Sequence, residues 1–168
     1  MTKIKVIDNF LPNNVFTNIK NTISTNTFPW FYNDHVCFKN EEENLLNNFM
    51  FTHNAFKIDK NVRISEYFSL FQDVLSKLNI IALVRIKLNL MLKTEKPVTH
   101  CMHTDSDEDF YKSAILYFEN NDGGTVFENK EFIQNKENRI VLFNSNMKHS
   151  GVSQTNTKRR TVLNIVYT

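Results

Sequence analysis

From residue 81 onward the hydrophobic pattern takes a strand's period and is repeatedly interrupted. "IALVRIKLNLML" (81–92) is β-branched or aliphatic at nearly every position or alternates, which predicts one long strand. Short strand-like runs follow at about 98–104, 111–118, 124–128, 131–133, 138–144 and 160–167. "ENNDGG" and "FNSNMKHSG" supply turn chemistry between some of them. Strands this short cannot bury a face alone, so the pattern predicts an all-β sandwich or barrel.

The first half reads differently. A short strand is expected over 3–10. In "LPNNVFTNIKNTI", Leu11, Val15, Ile19 and Ile23 recur every four residues beside Phe16, which predicts a helix with Pro12 in its first turn. "FPWFYNDHVCF" is aromatic and strand-like, and residues 39–48 read as a polar surface loop. In "VRISEYFSLFQDVLSKLN", Ile64, Tyr67, Phe68, Phe71, Leu75 and Leu78 form one stripe at helical period, which predicts a second helix. No repeat or Pro-rich linker divides the 168 residues, so one domain is expected, with helices over 1–79 packed on a β core over about 80–168.

A net charge of +2 with scattered Lys and Arg offers no footprint for coating nucleic acid or lying on a membrane. No apolar run reaches spanning length, and "MTKIKVIDNF" has no secretory h-region. The two cysteines, Cys37 and Cys101, lack framework spacing, so a reduced chain in the cytoplasm is expected.

Chemistry concentrates in "THCMHTDSDEDF" (99–110). On an extended segment alternate side chains share a face, so Cys101, His103 and Asp105 point one way and His100 and Met102 the other. His103 and Asp105 can then reach one metal. On a helix, His100 and His103 would do so instead, as in a zinc site, but the flanks are strand-like and a third soft ligand at finger spacing is missing. A distant partner stands in "RIVLFNSNMKHSGV", where His149 ends an alternating strand, and "RRTVLNIVY" then returns with Arg159 and Arg160. H-x-D with a distant His is the two-histidine, one-carboxylate pattern, which leaves positions on Fe(II) open. His35 and His53, lying among aromatics, read as core or surface histidines, and Trp30 with Phe28, Phe31 and Tyr32 as core. Gly123 and Gly124 read as a hairpin turn, and "DSDEDF" as a solvated loop or a lid.

In order and spacing, "HTD" (103–105), "AILYFENNDGGTVF" (114–127), "RIVLFNSNMKHSG" (139–151) and "RRTVLNIVY" (159–167) together resemble the 2-oxoglutarate- and Fe(II)-dependent dioxygenases. The likeness is greatest to the prolyl-hydroxylase-like branch, and the whole chain is similar to short bacteriophage-encoded oxygenases. The resemblance implies a double-stranded β-helix (jelly-roll) core. It implies Fe(II) on His103, Asp105 and His149, with 2-oxoglutarate and O2 as co-substrates. Arg160, in register with Asn164 and Tyr167, would pair with the far carboxylate of 2-oxoglutarate through its planar fork, with Arg159 as the rival anchor. Tyr117 would add a hydroxyl to that carboxylate, and Asn89 would contact the other end. The implied activity is hydroxylation of a substrate C–H bond coupled to decarboxylation of 2-oxoglutarate to succinate and CO2, with host cytoplasm as the setting if the chain is phage-encoded. A peptidyl-prolyl or other side chain, a nucleobase and a small molecule all stay open as substrates. Two other readings share the sheet: a non-catalytic jelly-roll binding module, and a cupin-like metalloprotein that does not use 2-oxoglutarate.

Overall fold

The computed structural model describes residues 4–36 and 48–168. Among these the elements run β1 (Lys5–Ile7), α1 (Asn13–Ile23), β2 (Phe31–Asn33), β3 (Met50–Ile58), β4 (Val62–Ile64), a 3-10 turn (Phe68–Phe71) and α2 (Gln72–Leu78). Then follow β5 (Leu83–Leu92), β6 (Lys112–Tyr117), β7 (Gly124–Phe127), β8 (Phe132–Gln134), β9 (Ile140–Asn144), β10 (His149–Val152) and β11 (Arg159–Tyr167). The large sheet has the order β1-β9-β6-β11-β5-β3-β2, with β4 added to β3, and the small sheet has the order β10-β7-β8. Every pairing is antiparallel.

The period of two on β11 explains the layering. Leu163, Ile165 and Tyr167 point outward into a core shared with Phe16, Ile19, Phe71 and Val74 of the helical layer. Val162 points the other way, into a smaller cluster with Ile115, Tyr117, Phe127, Val141 and Phe143 between the sheets. Phe16, stacked on Phe118 at 5.6 Å, is buried, and its transfer from water stabilises the helix–sheet contact by about 1.5–3 kcal/mol. The inner face is thus left for polar residues at one end, and that end holds the site.

Three sequence expectations are corrected. The helix expected over 62–79 begins late: Val62–Ile64 is instead a strand, Ile64 facing Phe56 and Val62 facing Ile58. Two β-branched residues beside an open strand edge gain a partner there, and Ser65 starts the turn by accepting from the amide of Tyr67 at 3.1 Å. β3 went unassigned because its alternation breaks at a bulge between Asn54 and Phe56. Residues 98–104 form isolated bridges, Thr99 to Val152 and His103 to His149, rather than a continuous strand. Among the described residues of 28–38 the strand-like reading holds for Phe31–Asn33 alone, and residues 37–38 with most of the loop expected over 39–48 lie outside the described residues. Among the described residues no helix is long and apolar enough to cross a membrane.

Candidate active site

β5 and β11 form the floor of a pocket of about 370 Å³ between the sheets. Alternate residues of β5 (Arg85, Lys87, Asn89, Met91) line it beside Arg160, Val162 and Asn164 of β11. Register sets Arg160 opposite Met91, Val162 opposite Asn89 and Asn164 opposite Lys87. Across the gap stand Thr125 of β7 and His149 and Gly151 of β10, and residues 101–105 close one side.

His103, Asp105 and His149 converge, their ligand atoms all within 4.8 Å of one another. Backbone pairing brings them there: His103 and His149 exchange two N–H to carbonyl bonds of 2.9 Å, and the Asp105 amide donates to the Ser145 carbonyl at 2.9 Å. Nδ1 of His149 lies 2.9 Å from the Met147 carbonyl and Nδ1 of His103 lies 3.3 Å from that of Cys101. A carbonyl only accepts, so Nδ1 carries the proton and Nε2 keeps the lone pair a metal needs. Burial, and then the neighbouring His149, push the His103 pKa down, which favours the neutral imidazole.

Both oxygens of the buried Asp105 are held. Oδ1 accepts from Arg85 Nη2 at 2.5 Å, and Oδ2 accepts from Ser113 Oγ at 2.6 Å and Asn164 Nδ2 at 3.0 Å. Burial alone would raise its pKa. The Arg85 charge, His149 and the two neutral donors outweigh it and bring the value down to about 2, so the group is a carboxylate at neutral pH.

Arg160 anchors the other end. It is buried, donating through Nε to Asn135 Oδ1 and through Nη2 to the Gly124 carbonyl, each at 2.9 Å. Gly151 packs beside the guanidinium, where a Cβ would be in ordinary contact at 3.6 Å from Nη1. Arg159 points to the opposite face, toward Glu119 at 3.6 Å and Ser24 Oγ at 2.7 Å. Tyr117 lies behind the pocket wall and donates from Oη to Thr125 Oγ1 at 2.8 Å, with the Arg160 guanidinium 5.7 Å from its ring. Asn89 lines the pocket with a buried Oδ1 that has no hydrogen-bond partner.

Of the residues singled out in the sequence, His103, Asp105, His149, Arg160 and Asn89 are brought together in the pocket, and Tyr117 stands one layer behind. Sequence reasoning missed Arg85, Lys87, Ser113 and Thr125. A signal for the first two was present: in an otherwise apolar strand, 85, 87 and 89 are polar at a period of two. His53 is a core histidine, with Nδ1 2.9 Å from the Pro29 carbonyl and Nε2 2.8 Å from Ser65 Oγ. Gly123 and Gly124 form no hairpin, since the chain crosses there from the large sheet to the small one. They admit close backbone approach instead, as a Cβ at Gly124 would lie 2.4 Å from the Ile133 carbonyl oxygen. Cys101 is disulfide-bonded rather than reduced, against expectation; Cys37 lies outside the described residues.

No family model matches the chain, and no curated protein sequence matches it. Solved structures do match. One is an oxidoreductase of the 2OG-Fe(II) oxygenase family from Burkholderia pseudomallei, with a TM-score of 0.71 and 11% identity, covering 99% of this chain and 84% of that one. HygX from Streptomyces hygroscopicus, with nickel and 2-oxoglutarate bound, gives 0.60 at 11% identity, covering 99% and 82%. A Pseudomonas putida prolyl-4-hydroxylase gives 0.54 at 11% identity, covering 99% and 93%. The fold is therefore that of the double-stranded β-helix oxygenases.

Proposed function

We propose that this chain is an Fe(II)- and 2-oxoglutarate-dependent dioxygenase, and that it hydroxylates its substrate. The observation that carries the reading is the pairing of a one-sided His-Asp-His cluster with a buried, forward-facing Arg160 in the same small pocket. The donor set suits the metal: two imidazoles with Nε2 free and one carboxylate leave half of an octahedral ion uncovered. Fe(II) would be held by His103, Asp105 and His149. The far carboxylate of 2-oxoglutarate would be held by Arg160, with the Thr125 hydroxyl, itself oriented by Tyr117, as a further donor. Bound there, the metal and 2-oxoglutarate would supply oxidative decarboxylation to succinate and CO2 coupled to C–H hydroxylation.

The chain's own residues do the rest. Ser113, Asn164 and Arg85 keep Asp105 ionised and fix its orientation, and the Met147 and Cys101 carbonyls fix the imidazoles. Phe127 and Phe143 pack at 6.0 and 4.7 Å from the His149 ring and keep water from that side. Arg160 gives the co-substrate one orientation because its Nε and Nη2 are already committed to Asn135 and Gly124. A side-chain hydroxylase resembling the prolyl hydroxylases is the branch favoured, on the sequence motifs together with the fold they share.

The test is anaerobic titration of the apo-protein with Fe(II) and then 2-oxoglutarate, following the visible charge-transfer band of the chelate. A band that needs both additions and is lost in His103→Ala supports the reading, with Arg160→Ala raising the 2-oxoglutarate requirement far more than Arg159→Ala. Iron binding without any response to 2-oxoglutarate would point to a cupin-like metalloprotein. No iron binding would leave a jelly-roll binding module.

A further inference from the structure

The pocket has more positive charge than the proposed function uses. Its charged lining residues are Arg85, Lys87 and Arg160 against the single carboxylate of Asp105. A divalent metal and dianionic 2-oxoglutarate cancel each other formally, so the loaded pocket would keep the excess. Arg160 is assigned to the co-substrate. Arg85 spends Nη2 on Asp105 and Asn164, while its buried Nε has no partner. Lys87 has no carboxylate within ion-pair distance among the described residues, and its strand neighbours on that face, Asn54 and Asn164, are neutral. A strand that buries Ile86, Leu88 and Leu90 on one face thus presents two cations on the other, one of them without an anion. Desolvation makes such an arrangement costly unless an anion arrives.

The two ends of the pocket are distinct. Lys87 lies four residues along β5 from Met91, the partner of Arg160, or about 13 Å of strand. It faces Asn164, which holds Asp105, so the cation pair stands at the Asp105 end of the site.

Resting on the oxygenase reading, we infer that the substrate presents an oxyanion, a carboxylate or a phosphate, to Lys87 and Arg85 at the Asp105 end of the pocket, away from Arg160. A pocket of about 370 Å³ must also admit 2-oxoglutarate, so the part that enters is a small acid or a short acidic group. Two cations flanking a carboxylate provide several N–H donors, which bind an oxyanion through charge-assisted hydrogen bonds and reject neutral analogues.

The test uses the full chain loaded with diamagnetic Zn(II) and 2-oxoglutarate, titrated with acetate and with methylphosphonate and read by amide NMR shifts. Saturable shifts on β5 at millimolar anion are expected, at least tenfold weaker in Lys87→Met and restored in Lys87→Arg. The anion that binds more tightly identifies the group as carboxylate or phosphate. Absence of binding by either anion would overturn the inference, as would equal binding in Lys87→Met. So would shifts that appear only when 2-oxoglutarate is left out, because the anion would then be sitting at Arg160. The Fe(II) charge-transfer band, run in parallel, keeps the two ideas apart: its absence defeats the oxygenase reading, whereas the anion titration judges Lys87 independently.

Discussion

Lys87→Met should make the metal-free protein more stable, because the native lysine is held at a cost. Burial is the main cause, reinforced by the charges of Arg85 and Lys57 and only partly offset by Asp105, and it carries the Lys87 pKa from 10.5 down to about 8. A folded-state value below the unfolded one means that the unfolded chain binds the proton more tightly. The penalty is therefore complete below pH 8 and is relieved as pH rises from 8 toward 10.5. The difference corresponds to about 3 kcal/mol, and because Lys87 keeps some access to water about 2 kcal/mol is the expected gain at pH 7. In a chain of this size that is roughly 4–8 °C in Tm. Urea denaturation with EDTA at intervals from pH 7 to 10 compares the two proteins. The variant should lead at pH 7 and the gap should close toward pH 10. A variant equal to or weaker than wild type at pH 7, with a gap that does not change with pH, would show that Lys87 is not held at a cost.

Three further outcomes are expected. Ser113→Ala and Asn164→Ala, which each remove one donor to Asp105 Oδ2, should weaken metal affinity about 10- to 100-fold by metal titration; unchanged affinity would show that Asp105 needs neither. Gly124→Ala drives a methyl to 2.4 Å from the Ile133 carbonyl and 2.7 Å from the Phe132 ring, so it should cost about 1–3 kcal/mol in chemical denaturation. Asp8 is held well below the usual carboxylate range by hydrogen bonds from Arg139 and then Lys136. Its folded pKa is depressed, so its contribution is present above the unfolded value near 3.8 and lost as pH falls through the folded one. Asp8→Asn should therefore cost under about 1 kcal/mol at pH 7 and progressively less as the pH falls below the unfolded value, measured by pH-dependent denaturation.

Local pattern along the chain set the faces and the residue types. Helical period placed α1, and the period of two placed β5, β6 and β11 with their buried and open sides. The shared face of His103 and Asp105 was legible because side-chain alternation is a local property of the backbone, whereas the choice of Arg160 came from the resemblance of its strand to the family motif. Local pattern failed at the bulge of β3 and at β4, where pairing across a sheet edge overrode helical spacing. It also failed to show what surrounds the cluster. Arg85 meets Asp105 from 20 residues away and Asn164 reaches it from 59 away. Only the register of β5 against β11 decides that Lys87 stands beside Asn164, that Arg160 faces inward beside Met91, and that a second cationic end exists. Strand register is set by long-range hydrogen-bond pairing and by the packing of both sheet faces at once, and no short stretch of sequence contains those partners.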